Sequence, residues 1–454
     1  MLLFTFSTVS SNNETSSTCQ MDLEEIDFVS KLLTIGQGWG RNFFVSCLLY
    51  LSPEDLKACR LVNTTWDEVI KGGLWGNKSA RKRLEDKLGE RWKSANPEAV
   101  KLGSVPERVQ DIFCNSKHIF CGIDGGKVKV YTVTDGQWLR DLESSVEDLM
   151  DLNIGRICGD ESIMAARLEG RAVTVWSIKE EMGRVYFFDV RNYNGMERSY
   201  VEDIKVSGNN VIVLLSGKDS KHPGSTYQLV VLHEGEQHTW ENKILESFST
   251  PEWAKLAVDK DWWAVVGKER NRRDILKVKF WKEGLFRRDI DLLGVSADYE
   301  ITYVAMVSPF LIVGVQDWSV GSETFLIKVF ELASDKLMEE PDTSAPLIKT
   351  VHFPGFTAGK FLYNGLVFGC LLLPFNENHE PSLVVFEKTA LLDSATLPEQ
   401  AEGNRIPLLL HHSPVFGMNT TSIFFIQRPA LATEDRARNF LCEKDFWMCG
   451  NIVG

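Results

Sequence analysis

No uncharged apolar run in this 454-residue chain approaches the roughly 20 residues that a membrane-spanning helix needs. Positive charge is in short supply. The 50 Lys and Arg residues face 63 Asp and Glu, for a net charge of -13, and this deficit argues against broad binding to nucleic acid or an anionic membrane. No nucleic acid and no membrane is therefore expected as a partner. Metal-ligand spacing is lacking too. The nine cysteines, Cys19, Cys47, Cys59, Cys114, Cys121, Cys158, Cys370, Cys442 and Cys449, contain no Cys-x-x-Cys pair and no Cys/His block. Their odd number and irregular spacing suit reduced thiols, as in cytosol or nucleus. His411-His412 has no third ligand at metal spacing. There is no P-loop and no Gly-x-Ser-x-Gly. The glycines from Gly122 to Gly126 lie between two apolar runs and read as a hairpin turn. The expectation is a chain without a metal, a cofactor or catalytic residues, in which Asp259, Asp261 and Glu269 receive no acid–base role.

Hydrophobic residues make up 44% of the chain and charged residues 25%, which is the composition of a globular protein. The length calls for more than one core. Residues 1–36 read as a poorly ordered leader rich in Ser, Thr and Asn. Its opening apolar run is short and has no basic flank, so it is not read as a signal peptide. Residues 37–95 read as helical. Phe44, Cys47, Leu48 and Leu51 recur at the spacing of one helix face. Ser52-Pro53-Glu54-Asp55 is a strong helix start, with a capping Ser, Pro at the first helical position and a carboxylate in the capping-box place. Trp66, Val69 and Ile70 share a face of a further helix, and Gly72-Gly73 stops it. Leu84, Leu88 and Trp92 form an apolar stripe on a basic linker helix.

The texture changes after about residue 105. Six runs of β-formers end in a large apolar residue: Tyr131, Trp176, Leu232, Trp281, Phe330 and Phe386. They recur about every 45 to 56 residues, in or near the range of propeller blades with loop insertions. Each is preceded by a second apolar run, as in HIFCGI, NVIVLL and PFLIVGV, and by a third, as in VQDIFC, VEDIKVS and TYVAMV. Units of about four strands that bury both faces must stack on one another. Residues 105–454 are thus expected to form an all-β propeller of about seven blades, the last one incomplete near the C-terminus. Two separate β-sandwiches are the competing arrangement.

The segment Leu51–Trp75 resembles the second half of the F-box. It carries Leu51, Ser52, Asp55, Leu56, Cys59, Val62, Trp66, Leu74 and Trp75 in the family's register. The family's opening Leu-Pro is replaced by Trp39-Gly40. The bland alternative is an ordinary three-helix segment with buried Leu and Trp. The β-repeats are loosely similar to degenerate WD repeats: Trp176 and Trp281 stand where that family has its signature Trp, without the Asp that follows. As plain core residues they would look the same. The multidomain fold so implied is a small all-α F-box-like module followed by an all-β, WD-repeat-like propeller.

What the resemblance implies is the substrate-recognition subunit of an SCF-type cullin ubiquitin ligase. Leu51, Pro53, Leu56, Leu61 and Trp66 would contact a Skp-type adaptor, and through it a cullin, while the propeller holds a target protein. Arg270, Arg272 and Arg273, in a turn between two β runs, are candidates for an acidic or phosphorylated target segment, because guanidinium groups pair bidentately with phosphate. A charge run of this kind is also the ordinary dress of an exposed turn. The competing functions are a non-ligase propeller scaffold and, against the missing motifs, a propeller enzyme.

Overall fold

The computed structural model describes Trp92 and, with interruptions, residues 100–445. Apart from Trp92, the expectations for residues 1–36 and 37–95 fall outside the described residues.

Six four-stranded antiparallel sheets are each built from consecutive strands. Their innermost strands are Val109–Cys114, Ile154–Gly159, Met196–Ser207, Ala254–Asp259, Tyr299–Val307 and Phe356–Tyr363. A seventh sheet joins the two ends of this region: Phe416–Met418 pairs with Ser422–Gln427, which pairs with Asn439–Asp445, whose outer side pairs with Val100–Val105. The seventh unit that the sequence pattern leaves incomplete is therefore completed by a strand upstream of the first blade. Innermost strands of neighbouring sheets contact one another all the way round, the seventh touching both the sixth and the first. The fold is a closed β-propeller, six blades of consecutive strands and one composite closing blade, and not a pair of sandwiches.

Alternation explains why the middle of the second strand of each blade is apolar on both faces. Successive side chains on a strand point to opposite faces, and here both faces are covered by neighbouring blades. In the third blade, Val211, Val213 and Leu215 join a cluster shared with the second blade, while Ile212 and Leu214 join one shared with the fourth. In the sixth blade, Phe368, Cys370 and Leu372 face the fifth, and Val367 and Leu371 face the closing blade. Trp92, on a helical residue and fully buried, packs into that last cluster beside Leu383 and Phe425. Trp176 is also core, between the first and second blades.

Two strand assignments differ from the sequence pattern: MDLNIG reads as the innermost strand of the second unit, but that strand is Ile154–Gly159. The run KTVHF reads as the innermost strand of the sixth unit, but Leu347–Pro354 is the outermost strand of the fifth blade, paired with Thr324–Glu331. The inner strand of the sixth blade is Phe356–Tyr363, which contains Gly359 and Lys360 and so looks less apolar than its equivalents. The turn at Gly125-Gly126 joins His118–Ile123 to Lys127–Thr132, as its glycines suggest, with φ of 76° and 70°.

Candidate functional site: a charged central channel

The innermost strands carry a repeated irregularity. In the first, second, third, fifth and sixth blades the pairing with the second strand skips one residue: Gln110, Gly155, Glu202, Thr302 and Gly359. A bulge of this kind inserts an unpaired residue and re-aims the side chains beside it. The residues that follow are Asp111, Arg156, Asp203, Tyr303 and Lys360, so the bulges coincide with polar groups on otherwise apolar strands.

These groups bind blade to blade. Asp111 Oδ1 accepts a hydrogen bond from the Ile112 N–H (2.9 Å), and Oδ2 accepts one from Ile157 N–H of the second blade (2.9 Å). Lys360 of the sixth blade donates to Asp111 Oδ1 at 2.5 Å and to the Ile112 carbonyl at 3.2 Å. Asp203 repeats the scheme. Its Oδ1 accepts from Ile204 N–H (2.8 Å) and from Arg156 of the second blade (2.6 Å), and Oδ2 accepts from Leu256 N–H of the fourth (3.3 Å). Both carboxylates are thus satisfied by one cation and two amide donors, the condition under which a buried charge is tolerated.

Two glycines make room for these contacts. A Cβ on Gly155 would stand 3.2 Å from a terminal nitrogen of Arg167. Arg167 passes that bulge to donate to the Glu202 carbonyl at 2.8 Å. A Cβ on Gly417, in the short inner strand of the closing blade, would stand 2.7 Å from Cys114 Sγ and 2.8 Å from Ile112 Cγ2. Its absence lets the closing blade approach the first.

Together the strands enclose a cavity of about 450 Å³, lined by Asp111, Arg156, Lys205, Tyr303 and Lys360 and extending to the turns between first and second strands. At those turns Asn115 and Asp160 accept from the amides two and three residues ahead, and Glu161 accepts from both the amide and the hydroxyl of Ser116. Asp259 accepts from Ser308 N–H at 2.7 Å, joining the fourth blade to the fifth. The acidic groups of the turns are thus part of the frame.

Burial sets the protonation of the channel. It pushes the Cys158 thiol up to about 12, with Lys205 opposing. Burial, and then the neighbouring Arg156, lower the Lys205 ammonium to about 8. Burial works against the charge of Arg156 as well, but Asp203, and after it Tyr303 and Asp111, hold the guanidinium protonated beyond its ordinary range. The Tyr303 hydroxyl is raised by burial. The Lys205 ammonium sits 5.6 Å from the centre of the Tyr303 ring, within the range of a cation–π contact.

The sequence-derived site residues lie elsewhere. Leu51, Pro53, Leu56, Leu61, Trp66 and Arg270 fall outside the described residues. Arg272 and Arg273 open the third strand of the fourth blade, Arg272 opposite Glu269, at the far end of the hairpin from Asp259 and Trp262. The channel residues escaped the sequence reading, although a signal was present: Val109-Gln-Asp-Ile and Val201-Glu-Asp-Ile are the same motif in two inner strands.

No protein-family model matches the sequence, and no curated protein matches it. Among solved structures the chain is similar to the β-propeller domain of Myceliophteria thermophila Cps50 (Swd1), with 10% identity, a TM-score of 0.47, and 76% of this chain and 99% of that one covered. It is similar to the RRP9 WD40 repeats at 11% identity and a TM-score of 0.49, over 77% of this chain and 99% of that one. Its likeness to U3-55K is at 12% identity and a TM-score of 0.47, with 77% and 99% covered. That this chain is a β-propeller rests on its own sheet order and closing strand.

Proposed function

We propose that this chain is a protein-interaction scaffold acting as the substrate-recognition subunit of an SCF-type cullin ubiquitin ligase. The observation that carries the reading is the run of nine F-box positions in register from Leu51 to Trp75, placed ahead of a closed propeller. The helical module would offer Leu51, Pro53, Leu56, Leu61 and Trp66 to a Skp-type adaptor, in the manner of a helix-packing interface with an aromatic anchor. The propeller, a rigid ring with loops at both ends, would hold a target protein. Its contribution to ubiquitin transfer would be proximity.

Pull-down of a Skp-type adaptor by the full chain tests this. The wild type is expected to recover the adaptor and the Leu56→Ala/Leu61→Ala variant to lose it. Failure of the folded wild type to recover any adaptor would sink the ligase reading. It would leave the second reading, a scaffold without adaptor binding, which Trp39-Gly40 in place of the family's Leu-Pro favours.

A further inference from the structure

The charges of the channel are paired unevenly. Asp111 and Asp203 each accept from one cation and two amides. Arg156 and Lys360 are the cations so used, and both still line the cavity. Lys205 lines it too and stands apart. Among the described residues no carboxylate lies within ion-pair distance of its ammonium, which has the Tyr303 ring for company at 5.6 Å. Asp203 and Asp111 attract this ammonium from beyond ion-pair distance, but burial and the neighbouring Arg156 outweigh them. Here it stands on the wall of a cavity of about 450 Å³, the size of a small-molecule site.

We propose that the central channel binds one oxyanion, a carboxylate or a phosphate group carried by a small molecule, with Lys205 as its counter-ion and Arg156 and Lys360 completing a cationic floor. The arrangement selects the ligand's form. The floor supplies one positive charge that no carboxylate of the described residues pairs with, while Asp160, Glu161 and Asp259 line the same cavity where it reaches the turns. These acids repel a polyanion. They admit a molecule whose single anionic end enters first and whose body is neutral or cationic. A guanidinium and two ammonium groups suit either oxyanion, since the first offers a planar fork and the others point charges.

Proton linkage gives the site a signature. The Lys205 ammonium loses its proton near 8 in the empty channel, and a bound oxyanion favours the charged form. Binding therefore takes up a proton and weakens as pH rises through that value.

Calorimetric titration of the full chain with inorganic phosphate, and separately with acetate, tests the site. Saturable binding of either is expected near neutral pH, and which anion binds tells the phosphate source from the carboxylate one. Affinity should fall about tenfold for each pH unit above about 8. Lys205→Gln should lower it at least about tenfold, the loss of one counter-ion, while Lys127→Gln, at an exposed pair with Glu143, should leave it unchanged. Lys205→Arg should keep binding and abolish the fall above pH 8, a readout that a merely structural lysine would not move. Absence of saturable binding by both anions overturns the proposal. So does wild-type affinity in a folded Lys205→Gln variant. If Lys205→Gln does not fold, the wild-type pH profile set against Lys205→Arg decides, and identical profiles overturn the site.

Discussion

Arg156 of the second blade donates to Asp203 of the third at 2.6 Å, and the same carboxylate accepts the Leu256 amide of the fourth. One side chain with 4% of its surface exposed therefore ties three consecutive blades. Lys360 and Asp111 do the equivalent across the seam, where the sixth blade reaches past the short closing strand to the first. A ring made of separate sheets has no backbone ladder running between blades, so such side chains supply directional bonds where packing alone is non-directional.

Removing this carboxylate should be costly. Asp203→Ala leaves Arg156 charged and unpaired and deprives the Leu256 amide of its acceptor. Breaking one partner of a buried pair destabilises by about 3–5 kcal/mol. Denaturant unfolding followed by tryptophan fluorescence should show a loss of this order. A change below about 1 kcal/mol, the worth of a surface pair, would show that the inter-blade bond contributes little.

Lys205 should make stability depend on pH in the opposite sense to a salt-bridged lysine. Its folded-state value is lowered from 10.5 to about 8, first by burial and then by Arg156. Between these two values the unfolded chain holds the proton and the folded chain does not, so stability rises as pH climbs through that window. Thermal melts in anion-poor buffer should show this rise. The Lys205→Met variant should lack it and melt higher than the wild type at neutral pH, where the wild type keeps its buried charge.

Trp92 gives a test of how far the propeller extends upstream. Its ring is fully buried between the sixth and closing blades. Trp92→Ala should cost about 3–5 kcal/mol, as large aromatic truncations in a core do. A truncated chain that begins after Trp92 should show the same loss when its unfolding midpoint is measured, because both changes empty the same cavity.

Gly417 should tolerate no side chain cheaply. A Cβ there meets Cys114 and Ile112 at under 3 Å, and neither partner is the far end of a flexible chain. Gly417→Ala should destabilise by about 1–3 kcal/mol through overpacking. Hydrogen exchange should localise the effect to the closing blade and to Val109–Cys114, and uniform change across all blades would contradict this account.

Much of the ring was legible in the residues. The spacing of Tyr131, Trp176, Leu232, Trp281, Phe330 and Phe386 marks six third strands, and each does lie in the third strand of a consecutive blade. Period-2 alternation was absent from the second strands for a reason the fold supplies: with a blade on either side there is no polar face to mark. The sixth inner strand was misplaced because its bulge, Gly359, and its charged group, Lys360, break the apolar pattern that identified the others.

By itself the sequence determined the β-repeat, its period and the turn at Gly125-Gly126, because these rest on local chemistry: side-chain alternation, β-branched runs and glycines that accept positive φ. Only the tertiary structure decided how the ring closes and what occupies its centre. The strand Val100–Val105 and its partner Asn439–Asp445 are separated by nearly the whole propeller, and no local preference pairs them. Asp111, Arg156, Asp203, Lys205 and Lys360 read in sequence as isolated charges in apolar strands. They become a site because a closed ring points every inner strand at one axis, and burial there turns scattered charges into neighbours that must be paired with one another or with a ligand.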